Sequence, residues 1–73
     1  MDEIRLTKLY SINLKRILNE MYFNQDDLAK FVNVSKRTIN RYITGESMPD
    51  IVTAKMIADS LQHSLDEFFE EEE

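Results

Sequence analysis

Residues 24–44, NQDDLAKFVNVSKRTINRYIT, read as two short helices joined by a tight turn. Asn24 is a good helix N-cap, followed three positions later by the acid Asp27, and Leu28, Ala29 and Val32 then supply an apolar face with a small residue in its middle. The first helix of the pair therefore ends near Val32. Asn33 falls where the chain must turn sharply, and asparagine tolerates a left-handed backbone better than any residue except glycine. Ser35 restarts a helix as its N-cap. The stretch carries the signature of a helix-turn-helix unit.

On a helix running from Ser35 to Thr44, at about 100° per residue, Lys36, Arg37, Asn40, Arg41 and Thr44 fall within an arc of about 140°. Ile39, Tyr42 and Ile43 take the other side. One face is made of long cationic and amide-bearing side chains, and the opposite face can pack on the preceding helices. Major-groove reading asks for such a face, since arginine and lysine donate to guanine O6 and N7 and asparagine pairs with adenine.

From Leu14 to Phe69 the chain resembles the phage repressor and Cro class of helix-turn-helix regulators, also called Xre-like. The matching landmarks are Leu14 and Ile17, the run from Asn24 to Ala29, Val34-Ser35, Thr38-Ile39, Gly45, Pro49, Leu61 and Ser64-Leu65-Asp66-Glu67, all in one register without a gap. The resemblance implies an all-α fold, a compact five-helix bundle of the lambda-repressor-like type, which binds operator DNA and usually does so as a dimer. With the basic face just described, and with Gln25 placed at the phosphates by the resemblance, the DNA-binding site is expected at Gln25, Ser35, Lys36, Arg37, Thr38, Asn40, Arg41 and Thr44. Lys36, Arg37 and Arg41 would donate to base edges, Thr38 and Asn40 would meet bases or phosphates, and Gln25 and Thr44 would hold the backbone.

Two departures from that class matter. Many relatives hold an arginine and a glutamate, paired in the interior, where this chain has Leu18 and Ile43. Replacing both members of a buried ion pair together is often neutral or stabilising, whereas replacing one strands a charge, so the double change predicts that Leu18 and Ile43 touch. Relatives also tend to follow the reading helix with lysines or arginines, and here Glu46, Ser47 and Met48 precede Pro49. Fewer phosphate contacts predict modest affinity per monomer and a need for dimerisation.

The rest of the chain frames this unit. Its 73 residues allow one small domain with a modest core: an N-terminal arm or helix extension over 1–10, the helix-turn-helix domain over 11–69, and an acidic tail over 70–73. The absence of cysteine excludes disulfides and thiolate metal sites. No apolar run approaches a membrane span or a signal peptide. One Gly and one Pro leave few interruptions, which favours helices over a turn-rich sheet.

A net charge of −5 argues at first against nucleic acid. Its distribution answers much of the objection. Residues 1–45 hold eight of the nine Lys and Arg against five acids, a net of +3, whereas residues 46–73 hold one Lys and nine acids, a net of −8. The acidic half is expected to point away from the duplex.

Residues 1–10 leave three readings open. Ile4 and Leu6 alternate like a short strand, while Leu6, Tyr10 and Leu14 also fall at helical spacing, so an arm, an edge strand or an extension of helix one all fit. From Ser11 or Ile12 the pattern firms, with Leu14, Ile17, Leu18 and Met21 marking helix one, and Phe23 placed to staple onto Leu28. Asp50 caps helix four, whose stripe is Ile51, Ala54, Ile57, Ala58 and Leu61. His63, with no second ligand in the sequence, reads as a half-buried loop histidine. Ser64 to Glu67 form a capping box opening a short helix five. Leu65 and Phe68 are expected mostly in the core and Phe69 mostly at an interface; together they mark the surface expected to form a homodimer.

An enzyme is not expected. One histidine, no cysteine and no glycine-rich phosphate loop give little from which to assemble a nucleophile with its base or a metal site. No cofactor, metal or small-molecule substrate is implied, and the resemblance suggests a cytoplasmic, bacterial or phage-encoded protein. Two functions follow. The first is a sequence-specific transcriptional regulator, a repressor or activator acting on double-stranded DNA. The second is a protein-interaction module on the same fold, such as an antitoxin-like or anti-repressor subunit whose acidic end engages a basic partner. The basic face of residues 36–44 favours the first.

Overall fold

The computed structural model describes residues 3–71, and in them the chain forms α1 (Glu3–Met21), α2 (Gln25–Val32), α3 (Lys36–Thr44), α4 (Ile51–Ser60) and a closing 3-10 helix (Leu65–Phe69), with no strand. The fold is all-helical, as expected, but the expected fifth α-helix is the 3-10 turn. The hydroxyl of Ser64 makes no capping bond, so the expected capping box does not form, and Glu67 instead meets the Nδ1 of His63. Without a cap, and with Phe68 drawn fully into the core, the five residues tighten to three per turn rather than propagate an α-helix.

Residues 3–10, which admitted three readings, are the first half of α1. The reason is Tyr10, four residues before Leu14, which extends the buried stripe toward the N-terminus and is itself 1 % exposed. At the other end the stripe stops sooner than its spacing suggests, since Met21 faces solvent. Tyr10, Leu14 and Ile17 of α1, Leu28 of α2, Ile39 of α3 and Ile57 of α4 meet in one core closed by Leu61 and Phe68. α1 packs on α3 and the 3-10 helix, α2 on α3 and α4, and α4 on the 3-10 helix.

All four α-helices stop in the same way. A left-handed residue follows each, directly at Tyr22 (φ 54°), Asn33 (φ 57°) and Gly45 (φ 82°), and one position later, after Leu61, at Gln62 (φ 58°). The next amide returns to the carbonyl five residues back: Phe23 to Leu18, Val34 to Ala29, Glu46 to Arg41 and His63 to Ala58, each at 3.0 Å. This double-bonded ending satisfies carbonyls that would otherwise lack partners. At three of the four positions the chain uses a side-chain-bearing residue where glycine would be free of strain.

Asn13, which the sequence alone did not single out, is 2 % exposed. The two N–H groups of its amide are shared among three carbonyls within hydrogen-bond distance, those of Leu9 (2.9 Å) on its own helix and of Phe68 (3.0 Å) and Glu70 (2.9 Å) on the closing segment. Its oxygen accepts from Arg16 at 3.0 Å. A second tie joins the same partners, the ion pair of Arg5 with Glu71.

Candidate nucleic-acid interface

The unit at 24–44 is set by local hydrogen bonds. The side chain of Asn24 accepts from the Asp27 amide at 2.8 Å and that of Ser35 from the Thr38 amide at 3.0 Å, so both helices start where the polar residues fall. Asn33, at φ 57° and ψ 46°, makes the turn between them. Beneath α3, Ile39 is fully buried and Tyr42 nearly so, which fixes the rotation of the helix about its axis. Burial raises the pKa of the Tyr42 phenol, with a smaller contribution from the Asp50 carboxylate. Asp50, the cap of α4, is itself held below the ordinary carboxylate value, first by the hydrogen bond from the Thr53 amide at 2.7 Å.

With α3 so rotated, Lys36, Arg37, Asn40, Arg41 and Thr44 are all exposed. They do not form one uniform group. Arg37, Asn40 and Arg41 border a shallow open depression together with Glu46 and Ser47 from the segment after the helix. Neither guanidinium takes part in an ion pair or side-chain hydrogen bond among the described residues. Lys36, at the edge of the face, instead reaches back to Asp26 on α2, with its ammonium 3.3 Å from the carboxylate. The hydroxyls of Ser35 and Thr38 lie 2.9 Å apart and engage each other at the start of the helix. The Thr44 hydroxyl donates to the Arg41 carbonyl at 3.2 Å.

Gln25 lies around the side of the unit, half-buried, in a separate depression with Lys15, Asn19, Phe23, Leu18 and Ile43. Lys15 and Asn19 belong to α1, and their approach to Gln25 arises from tertiary packing that no local spacing announces. Leu18 is buried and Ile43 half-buried against the core, so neither apolar replacement is left in solvent.

Two helices linked by a left-handed asparagine, the second exposing a basic face, define a helix-turn-helix domain. The sequence comparison agrees, since the helix-turn-helix family profile of the Cro type, Xre-like, matches residues 14–68, and the chain belongs to that family. The family is one of DNA-binding regulators. Neither the comparison with curated proteins nor that with solved structures returned a match. Among the described residues no helix is long and apolar enough to cross a membrane, and no group of three or more His, Asp or Glu side chains is arranged to hold a metal ion.

Phe68, expected mostly in the core, is 0 % exposed and stacked on Tyr10, so of the three residues expected at a homodimer surface it has none to offer a second copy. Leu65 and Phe69 are half-buried, and Phe69 also leans on Tyr10, with ring centroids 5.7 Å apart.

Proposed function

We propose that this chain is a sequence-specific transcriptional regulator, acting as a repressor by occupying operator DNA, with α3 in the major groove. The observation that carries the reading is the pair of unpartnered guanidinium groups, Arg37 and Arg41, flanking the amide of Asn40 on one exposed face. Three long donors held side by side by a rigid helix suit bidentate contacts with guanine and adenine edges. Lys36, released from Asp26, adds a third cation at the edge of the groove; an exposed pair of this kind contributes little and is easily exchanged for a phosphate. Gln25, with Lys15 and Asn19 beside it, grips the backbone from the flank, and Ser35, Thr38 and Thr44 lie within reach of it.

Few cations follow the reading helix, so a single copy holds DNA weakly and two copies on a twofold axis bind together. Their α3 helices then lie about 34 Å apart, one turn of the duplex, and the operator is pseudo-palindromic. The half-exposed Leu65 and Phe69 remain available to such a dimer.

Selection from random duplex DNA, followed by titration of the enriched duplex at two salt concentrations, tests this reading. A pseudo-palindrome bound with salt-dependent affinity supports it. A folded protein that enriches nothing and binds weakly even at low salt would transfer the assignment to the second reading, a protein-interaction module. The net charge of −8 over residues 46–73 and the exposed Ile51 and Val52 of α4 are what favour that alternative.

A further inference from the structure

Glu46 occupies an unexpected place for a carboxylate. The left-handed turn at Gly45 sends its amide back to the Arg41 carbonyl at 3.0 Å, which folds the residue over the last turn of α3. There it borders the same depression as Arg37, Asn40 and Arg41. It is exposed, and no ion pair or side-chain hydrogen bond engages it among the described residues. A negative charge thus stands free beside the two cations of the α3 face, bordering the same depression without pairing with either.

We infer that Glu46 is a specificity-determining residue, one that weakens sequence-independent binding to DNA. The inference rests on the DNA-binding reading of the α3 face. In a complex held by the phosphates alone, Arg37 and Arg41 grip the backbone and bring Glu46 against the same anionic rail. Repulsion between like charges then cancels part of the attraction. With the arginines extended onto base edges in a matching sequence, hydrogen bonds fixed in direction replace general attraction, and the same carboxylate costs proportionately less. The acid therefore lowers affinity for every duplex while widening the gap between the right sequence and the rest.

The experiment compares wild type, Glu46→Gln and Glu46→Lys on the duplex enriched by random selection and on a scrambled duplex of equal length and composition, by fluorescence anisotropy over a salt series. Circular dichroism checks that each variant is folded; the side chain holds nothing in place, so all three should be. Glu46→Gln is expected to tighten binding to the scrambled duplex on the order of threefold, as fits a unit charge a few ångströms from a phosphate in water, and the enriched duplex by less. Glu46→Lys should steepen the dependence of log K on log salt by about 0.9, one added phosphate contact. No change on either duplex would overturn the inference by placing Glu46 away from DNA. Loss of affinity confined to the enriched duplex would also overturn it, making the carboxylate an acceptor for a base amine. Failure of the wild type itself to bind any duplex would refute the DNA-binding reading, a result independent of residue 46.

Discussion

The ring of Tyr10 lies on that of Phe68, with centroids 5.2 Å apart and planes inclined by 24°, while its hydroxyl is buried without a hydrogen-bond partner. The ring is among the largest side chains of the core, and the oxygen is the one unsatisfied polar side-chain atom in it among the described residues. A buried hydroxyl lacking a partner costs roughly 1 to 3 kcal/mol. Tyr10→Phe keeps the stack and removes the penalty, so it should raise stability by about 1 kcal/mol in urea unfolding. A loss of stability would mean that the hydroxyl is hydrogen-bonded in solution.

The same burial gives a pH dependence. Burial, with a smaller effect of Tyr42, raises the Tyr10 phenol well above its ordinary value of 10.0. Above that pH the unfolded chain gives up the proton and the folded chain keeps it, so the unfolded state gains and stability falls with rising pH. The contribution is complete below pH 10.0 and disappears as pH climbs toward the folded value. Wild type should lose stability more steeply than Tyr10→Phe across this alkaline range, and parallel curves would refute the assignment.

Asn13 offers a sharper destabilisation. Substituting leucine, of similar volume, leaves the Phe68 carbonyl without its donor in a buried setting and removes the donor to Glu70. A cost of about 2 to 3 kcal/mol is expected. Amide exchange should quicken first over residues 65–70. Uniform loosening of the whole chain would show instead that the closing segment and the core form a single unit.

Tyr22 is 97 % exposed and sits at φ 54°. Its side chain gains nothing from packing, and its Cβ is strained against the backbone. Tyr22→Gly should stabilise the protein by about 0.5 to 1 kcal/mol, net of the added freedom of the unfolded chain. Gly45→Ala should do the reverse, because the φ of 82° is unfavourable to a side chain, even though the new Cβ would meet Ser11 Oγ at an ordinary contact distance of 3.4 Å. Thermal melts of the two variants shifting in the same direction would contradict this account.

On DNA, Arg41→Ala should cost about 1 to 3 kcal/mol and relax preference at one base pair. Lys36→Ala should cost less, since that ammonium already has Asp26 as a partner in the free protein. Equal losses for Arg41→Ala on every sequence would make it a phosphate contact.

What the sequence disclosed, and what it withheld, follows from where each determinant lies. Asn24, Ser35 and Asp50 cap their helices through bonds to amides three residues away, and Asn33 and Gly45 are residues that favour left-handed backbone, so these boundaries were legible one by one. The exposed face of α3 was legible for the same reason, being a matter of helical period. Tyr22 and Gln62 end helices just as Asn33 does, yet neither residue type signals a stop, because what holds them there is the return bond from the following amide. The role of Asn13 depends on partners 55 and 57 positions away. The company kept by Lys36, Gln25 and Arg37 was hidden likewise: Asp26 pairs with Lys36, while Lys15 and Glu46 border the depressions that Gln25 and Arg37 line.

The clasp at Asn13 also bears on time. The turn at Asn33 joins neighbours in the chain, whereas the bond from Asn13 to Phe68 closes a loop of 55 residues, whose entropy must be lost before the contact returns anything. The paired helices α2 and α3 can therefore assemble before the closing segment docks. If docking comes late, loosening it leaves the folding rate nearly untouched and accelerates unfolding, which stopped-flow kinetics on Asn13→Leu would reveal as a shift in the unfolding arm alone. Asn13 then governs how long a folded molecule lasts, while the helices that face DNA govern how quickly one forms.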